Sequence, residues 1–151
     1  MKGDLLPDQD HICRYCSATK FTENGLITGA AFQLRPVDKY LSVNWLEFFQ
    51  LADRHEQIRE VRKVLRLKPG ARAKLAVLNV EEIVNFVHTQ SPDARKLRVL
   101  HEPIENDPSH SGIYGFGCDE HLIADLIAET VQETYPAKQT ENAINETSFR
   151  K

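Results

Sequence analysis

The apolar residues of this 151-residue chain occur in short runs that polar, proline and glycine residues separate. The runs at 76–78 and 122–124 are typical, and both are far shorter than the roughly 20 apolar residues that a membrane-spanning helix needs. Short apolar runs bounded by turn residues favour small strands and amphipathic helices. A chain of this length with 41% hydrophobic residues can bury a substantial core, so one domain is expected. Because the apolar runs are short, no membrane helix is expected.

Strand-like patterns occur in both halves of the chain. Some segments alternate apolar and polar residues, and others are rich in branched side chains, which favours a buried strand. These segments are 11–15, 30–34, 40–43, 74–80 and 95–101. The Asn24-Gly25 pair favours a tight turn after the first of them, since glycine accepts a positive φ. The sequence therefore predicts a meander of small strands near the N-terminus and two further strands later.

Helical signals lie between and after these strands. Asn44 followed by Glu47 resembles a capping box, which predicts a helix from Trp45 that continues, bent or in two parts, to Pro69-Gly70. Residues 81–89 could continue the strand before them or form a short helix, and we favour the helix. The apolar spacing from 119 to 131 favours an amphipathic helix. We expect an α+β fold in which a small, partly antiparallel sheet packs with two to four helices.

The last residues differ in composition from the body of the chain. Residues 136–151 are polar and offer few apolar groups to offset the entropy of ordering, so we expect a single domain at 1–135 and a disordered tail at 136–151. The first ten residues contain three aspartates and no continuous apolar segment, unlike a secretory signal peptide. These features predict a cytoplasmic protein.

The three cysteines suggest one metal hypothesis. Cys13 and Cys16 form one Cys-x-x-Cys pair, and Cys118 with His121 has the same spacing, so the four could form a Cys₃His zinc site. Against this, alternation along a strand would send Cys13 and Cys16 to opposite faces. Buried unliganded thiols are therefore the favoured interpretation. We expect no cofactor, and zinc is the alternative.

Charge is unevenly distributed, although the whole chain carries only −3. Residues 53–74 hold eight Lys or Arg against three acids, whereas residues 101–151 hold ten acids against three bases. Four bases recur at helical spacing, which predicts a basic face for a protein partner or a nucleic-acid backbone: Arg59, Arg62, Lys63 and Arg66. The alternative is a solvated face in which Glu56 and Glu60 pair with these bases.

The stretch DPSHSGIYGFGCDEH at 107–121 is rich in groups that can carry chemistry, and we expect it to be a loop between a strand and a helix. Its glycines at 112, 115 and 117 could cradle a phosphate. However, Asp119 and Glu120 would occupy the first turn of the following helix and repel an anion. The glycines are therefore better explained by the conformation that the chain needs there.

An enzyme hypothesis combines this stretch with earlier residues. His110, Ser42 and His11 are the candidate catalytic residues, with Arg14 as a binding residue, and Ser109 and either Glu105 or Asp107 in support. Such a site would act on a nucleotide or phosphorylated substrate, by ADP-ribosyl or phosphoryl transfer. No Gly-x-Ser-x-Gly motif surrounds Ser42 or Ser109.

The favoured function is a small accessory module that docks on a larger protein or nucleoprotein partner through the basic helical face. The uneven charge is the main reason. The sequence leaves open whether the protein is an enzyme and what its oligomeric state is.

Overall fold

The computed structural model describes residues 2–65 and 72–138. In these residues six strands form one sheet in the order β4-β5-β2-β1-β3-β6, and every pairing is antiparallel. The strands are β1 (His11–Cys16), β2 (Leu41–Trp45), β3 (Lys74–Asn79), β4 (Arg98–His101), β5 (His110–Tyr114) and β6 (Glu133–Pro136). The α-helices are α1 (Arg54–Val64), α2 (Val80–Gln90) and α3 (His121–Glu129). The expected α+β fold is confirmed.

The two faces of the sheet carry separate hydrophobic cores. On the first face, Ile12 and Cys16 of β1 pack with residues of α2 and α3 such as Ile83 and Ile127. On the second face, Cys13 packs with residues of α1, among them Ile58 and Val61. This division follows from the alternation of side chains along β1. Helix α1 packs on the second face over β1 and β3.

Several segments form the elements that their patterns predict. The branched run at 74–80 forms β3, which is buried between its neighbours, and α2 follows it directly. Asn79 caps α2, because its side-chain oxygen accepts a hydrogen bond from the amide of Glu82 at 2.9 Å. The predicted C-terminal helix forms α3 but ends at Glu129.

Two local predictions are wrong. Residues 30–34 do not form a strand, because Gly29–Phe32 is a short 3-10 helix packed on α3. Asp125 of α3 lies so close to Gly29 that a Cβ atom on residue 29 would be 1.9 Å from the carboxylate oxygen of Asp125. The helix expected from Trp45 begins only at Arg54, since Trp45 is the last residue of β2. A single 3-10 turn, Glu47–Phe49, lies between them.

The stretch at 107–121 is not a single loop. Its residues His110–Tyr114 form β5, which pairs with β2 on one side and with β4 on the other. Ser111 and Gly112 are buried there, so this strand lacks the apolar alternation that usually reveals one. The segment that suggested a ligand loop is therefore an inner strand of the sheet.

The C-terminal end of the described chain adds the outer strand β6. Pro136 belongs to this strand and Ala137 is buried beneath α1, so both residues lie with the folded body. The rest of the predicted tail, 139–151, lies outside the described residues. Within residues 2–65 and 72–138, no helix is long and apolar enough to cross a membrane.

Candidate functional site

Buried polar groups gather where β2 ends and β5 begins. The side-chain amide of Asn44 donates to both carboxylate oxygens of Asp107, at 3.0 and 2.8 Å, and to the hydroxyl of Ser109 at 2.9 Å. The Ser109 hydroxyl in turn donates to Asp107. Because all three side chains are buried and bonded to one another, this cluster fixes the packing of the two strands.

The same cluster explains why Asn44 does not cap a helix. Its side chain is occupied by Asp107 and Ser109, which lie more than sixty positions away along the chain. Glu47, the other half of the expected capping box, bonds instead to the backbone amide and to Nδ1 of His11, both at 2.7 Å. The local signal is overridden by tertiary contacts.

The three candidate catalytic residues do not form a set. His11 is bonded to Glu47, and Nδ1 of His110 donates to the carbonyl oxygen of Glu102 at 2.8 Å. Ser42 is exposed on β2, and no described residue bonds its hydroxyl. Ser109 is completely buried, so a substrate cannot reach it. The hydroxyl of Ser109 does bond to the carboxylate of Asp107, but this pair is buried. Among His11, Ser42 and His110, the structure shows no nucleophile and base in hydrogen-bond contact.

Arg14 lies on the opposite face of the sheet from the side chains of Ser42 and His110. Ile12 and Cys16 each lie two positions from Arg14 along β1 and belong to the core of the first face, so Arg14 lies on that face too. The register pairs Ser42 with Gly112 and Asn44 with His110, and Asn44 shares the second face with Cys13. The only part of Ser42 that Arg14 contacts by a hydrogen bond is the backbone carbonyl. Arg14 therefore does not share a cleft with the Ser42 hydroxyl or with His110.

The four candidate zinc ligands are separated. Cys13 and Cys16 are buried in the cores on opposite faces, whereas Cys118 is exposed. Nδ1 of His121 lies 2.8 Å from the side-chain nitrogen of Gln33, to which it is hydrogen-bonded. Among the described residues no group of three or more His, Cys, Asp or Glu side chains is arranged to hold a metal ion.

The basic helical face is partly occupied by internal bonds. Arg62 donates two hydrogen bonds to the carbonyl oxygen of Pro136, at 3.1 and 2.7 Å, and Lys63 pairs with Glu60 at 2.8 Å. Arg59 is exposed and bonds to no described residue. Arg66 lies outside the described residues. Of the three predicted bases that the structure describes, Arg62 bonds to the backbone of the chain, whereas Arg59 and Lys63 are exposed.

A basic cleft of about 340 Å³ lies at the end of β1. Of its three cations, the sequence predicted a binding role only for Arg14. The residues that line it include Arg14, Ser17, Lys20, Gln33 and Arg35, and we refer to it as the Arg14 cleft. Lys20 ends the 3-10 helix Ala18–Lys20, and Arg35 follows the 3-10 helix Gly29–Phe32. The cleft is thus assembled by irregular segments that fold back over one end of the sheet.

The guanidinium of Arg14 is held by neutral groups. Its Nε donates to the carbonyl oxygen of Ala31 at 2.9 Å, and Nη1 donates to that of Ser42 at 2.8 Å. No described carboxylate forms a salt bridge with it. Burial lowers the pKa of Arg14, and electrostatic interactions with Cys16 and Asp38 only partly oppose this effect. Arg14 remains a cation, since an arginine does not lose its proton in proteins.

The other two cations of the cleft differ in their surroundings. Arg35 pairs with Asp38 through two hydrogen bonds at 2.9 and 3.1 Å, which lower the pKa of Asp38. Lys20 is half-buried, and its ammonium group forms no hydrogen bond or ion pair with the described chain. Neither residue carries a sequence motif, because the segments that hold them are brought together only by the tertiary fold.

Comparison of the chain with family models, with curated proteins and with solved structures finds no match. We therefore infer function from the geometry of the Arg14 cleft and of the surfaces around it.

Proposed function

We propose that this protein is a small, non-catalytic binding module that docks on a larger partner through an anionic group of that partner. The anionic group occupies the Arg14 cleft. The observation that carries the proposal is the environment of Arg14: a half-buried cation at a cleft, bonded only to two carbonyl oxygens.

Burial of an uncompensated charge is unfavourable, and a counter-ion removes much of that penalty. A guanidinium has five N–H groups, and Arg14 uses one on Nε and one on Nη1 for the carbonyls of Ala31 and Ser42. Three N–H groups are therefore left for an acceptor in the cleft. The unpaired ammonium of Lys20 lines the same space and adds a second charge. An anion would neutralise both.

Docking through the outer face of α1 has less support. Arg62 and Arg54 bind the chain's own outer strand, since Arg62 donates to Pro136 and Arg54 pairs with Glu133 at 3.0 Å. Exposed ion pairs contribute little, so Lys63 is still available despite Glu60. We assign Arg59 and Lys63 a supporting contact with an acidic partner and place the specific contact at Arg14.

The enzyme alternative lacks a site. If His110 were the acid-base group, the anion-binding Arg14 and a nucleophile would have to lie near it. The side chain of Arg14 lies on the first face of the sheet, however, and that of His110 lies on the second. The hydroxyl of Ser42 has no base bonded to it. Binding without catalysis is what this arrangement supports.

Anion-dependent stabilisation tests the proposal. A ligand that binds only the folded state raises its stability, by about 2.7 kcal/mol at one hundred times the Kd. We expect pyrophosphate to raise the Tm of the wild-type protein above that in sodium chloride of equal ionic strength. The rise should be lost in Arg14→Gln and reduced in Lys20→Gln.

Arg59→Gln is the matched control, because it removes one exposed cation from the opposite face and should keep the full rise. Lys20→Gln guards against a folding defect in Arg14→Gln, since the Lys20 side chain bonds to nothing in the described chain. An equal rise in all four proteins would show general screening of positive charge and would refute the proposal.

A further inference from the structure

We infer that the anion of the Arg14 cleft is a phosphate monoester in its doubly charged form. This inference rests on the proposed function, because it names the chemistry of the group that the same cleft holds. A carboxylate is the competing anion, and charge, geometry and size distinguish the two.

The charge of the cleft matches a dianion. Arg14, Lys20 and Arg35 are three cations around it, and Asp38, bonded to Arg35, is the carboxylate that offsets one of them. Two positive charges are therefore left without a partner in the described residues. A single carboxylate would neutralise one, whereas the dianion of a phosphate monoester would neutralise both.

The three cations come from three different segments of the chain. Arg14 projects from β1, Lys20 stands at the end of the 3-10 helix Ala18–Lys20, and Arg35 follows the 3-10 helix Gly29–Phe32. A phosphoryl group has three terminal oxygens in a tetrahedral arrangement, so it can accept from donors spread around it. A planar carboxylate suits a single guanidinium that binds it through two parallel hydrogen bonds. The separated cations therefore favour the phosphoryl group.

The size of the cleft limits what the phosphate is attached to. Its volume of about 340 Å³ lies at the lower end of the range for small-molecule sites, roughly 300 to 1,000 Å³. The phosphoryl group and a small part of its carrier fit inside. The rest of the carrier, whether a phosphorylated side chain or a nucleotide, would extend outward.

The protonation of a phosphate monoester gives a direct test. Its second pKa is near 6, so the fraction of dianion rises about fourfold between pH 5.5 and 7.5. Other titratable groups near the cleft are Tyr15, Cys16 and Asp38, together with His121, which contacts Gln33. Sulfate stays doubly charged over this range, so its binding reports the titration of the protein alone.

The experiment is a set of calorimetric titrations of the full-length protein with phosphoserine, adenosine monophosphate, sulfate and acetate at pH 5.5 and 7.5. We expect phosphoserine or adenosine monophosphate to bind at least ten times more tightly than acetate. The affinity of that monoester should increase up to fourfold with pH relative to sulfate. The preferred monoester identifies the carrier, and either preference supports the inference.

Other outcomes separate the two proposals. If acetate binds as tightly as the monoesters, or if their affinity follows that of sulfate with pH, the inference of a phosphate dianion is overturned while an anion site at Arg14 stands. If none of the four ligands binds and Arg14→Gln leaves every titration unchanged, both the inference and the proposed function fail.

Discussion

The ring of Tyr40, which precedes β2, lies against Gly112 of β5. The contact is so close that a Cβ on residue 112 would lie 2.2 Å from Cδ1 of the ring. Tyr114 and His110 flank Tyr40, with ring centroids 5.0 and 5.8 Å away. The absence of a side chain at Gly112 is therefore what lets these rings pack against β5 on the second face. Glycine at this position serves the packing of β5 and not a phosphate loop.

Gly112→Ala should destabilise the protein by about 1 to 3 kcal/mol, because the added methyl group displaces Tyr40 from a packed position. Gly117→Ala is the control, since its Cβ would meet its nearest atoms at 3.6 Å, an ordinary contact distance. Urea unfolding followed by tyrosine fluorescence measures both. Equal free energies of unfolding in the two variants would contradict this account of Gly112.

Asp107→Ala should be more damaging than most surface changes. It removes the acceptor that Asn44 and Ser109 share. The amide of Asn44 keeps only its bond to Ser109, and the buried hydroxyl of Ser109 loses its acceptor, which costs about 1 to 3 kcal/mol. Ser42→Ala, on the same strand as Asn44, should change the free energy of unfolding by less than about 0.5 kcal/mol. If Asp107→Ala were as mild as Ser42→Ala, the cluster would not hold β2 and β5 together.

Arg62→Ala should destabilise the protein by about 1 to 2 kcal/mol, because it removes two charge-assisted hydrogen bonds to Pro136. Arg59→Ala, three positions earlier on the same helix, removes an equal charge without any bond to the described chain. Thermal unfolding of both variants separates the structural arginine from the exposed one. A larger loss of Tm in Arg59→Ala would reverse this assignment.

The buried thiols should make the protein sensitive to alkali. Burial raises the pKa of Cys16 from 9.0 to about 11, and it also raises the pKa of Cys13. Above pH 9 the unfolded chain loses these protons and the folded chain keeps them, so the free energy of unfolding falls as pH rises from 9 toward 11. The tyrosines Tyr40, Tyr114 and Tyr135, whose pKa values are also raised, contribute in the same direction.

Urea unfolding at pH 8, 9 and 10 measures this slope, and Cys13→Ala with Cys16→Ala isolates the thiol part. The double variant should be less stable at pH 8 because it lacks two buried side chains, but its stability should fall less between pH 9 and 10. Each thiol contributes up to about 1.4 kcal/mol per pH unit in that window. Identical slopes would show that the thiols do not titrate as buried groups.

Thiol reactivity checks the same burial independently. In the folded protein at pH 8 a chromogenic disulfide should modify Cys118 quickly, since it is exposed, and leave Cys13 and Cys16 unmodified. All three should react in urea. Rapid modification of all three without urea would mean that the two cores open readily.

The elements that the sequence predicts correctly are those with a local pattern. Strand β3 has a run of branched residues, and α2 has a helical apolar spacing. Strand β5 has neither, because Ser111 and Gly112 are buried for reasons that lie in β2 and β4. Its identity depends on contacts between distant segments, which periodicity does not report.

The candidate site shows the same division. Arg14 was expected to bind a ligand because it is a basic residue on a strand, and it lines the cleft, although the role itself remains a proposal. Lys20 and Arg35 sit beside 3-10 helices that have no distinctive sequence pattern. Ser42 and His110 looked like partners of Arg14 along the chain, but strand alternation places their side chains on the opposite face.

The bond from Arg62 to Pro136 also bears on how this molecule behaves at high concentration. Strand β6 is at one end of the sheet order, where unpaired backbone groups invite a strand from another molecule and so promote aggregation. Pro136 has no amide hydrogen to offer such a strand, and Arg62 already occupies its carbonyl oxygen. Arg62, which the sequence predicted to be part of a docking face, thus helps to prevent edge-to-edge association of neighbouring copies of the protein.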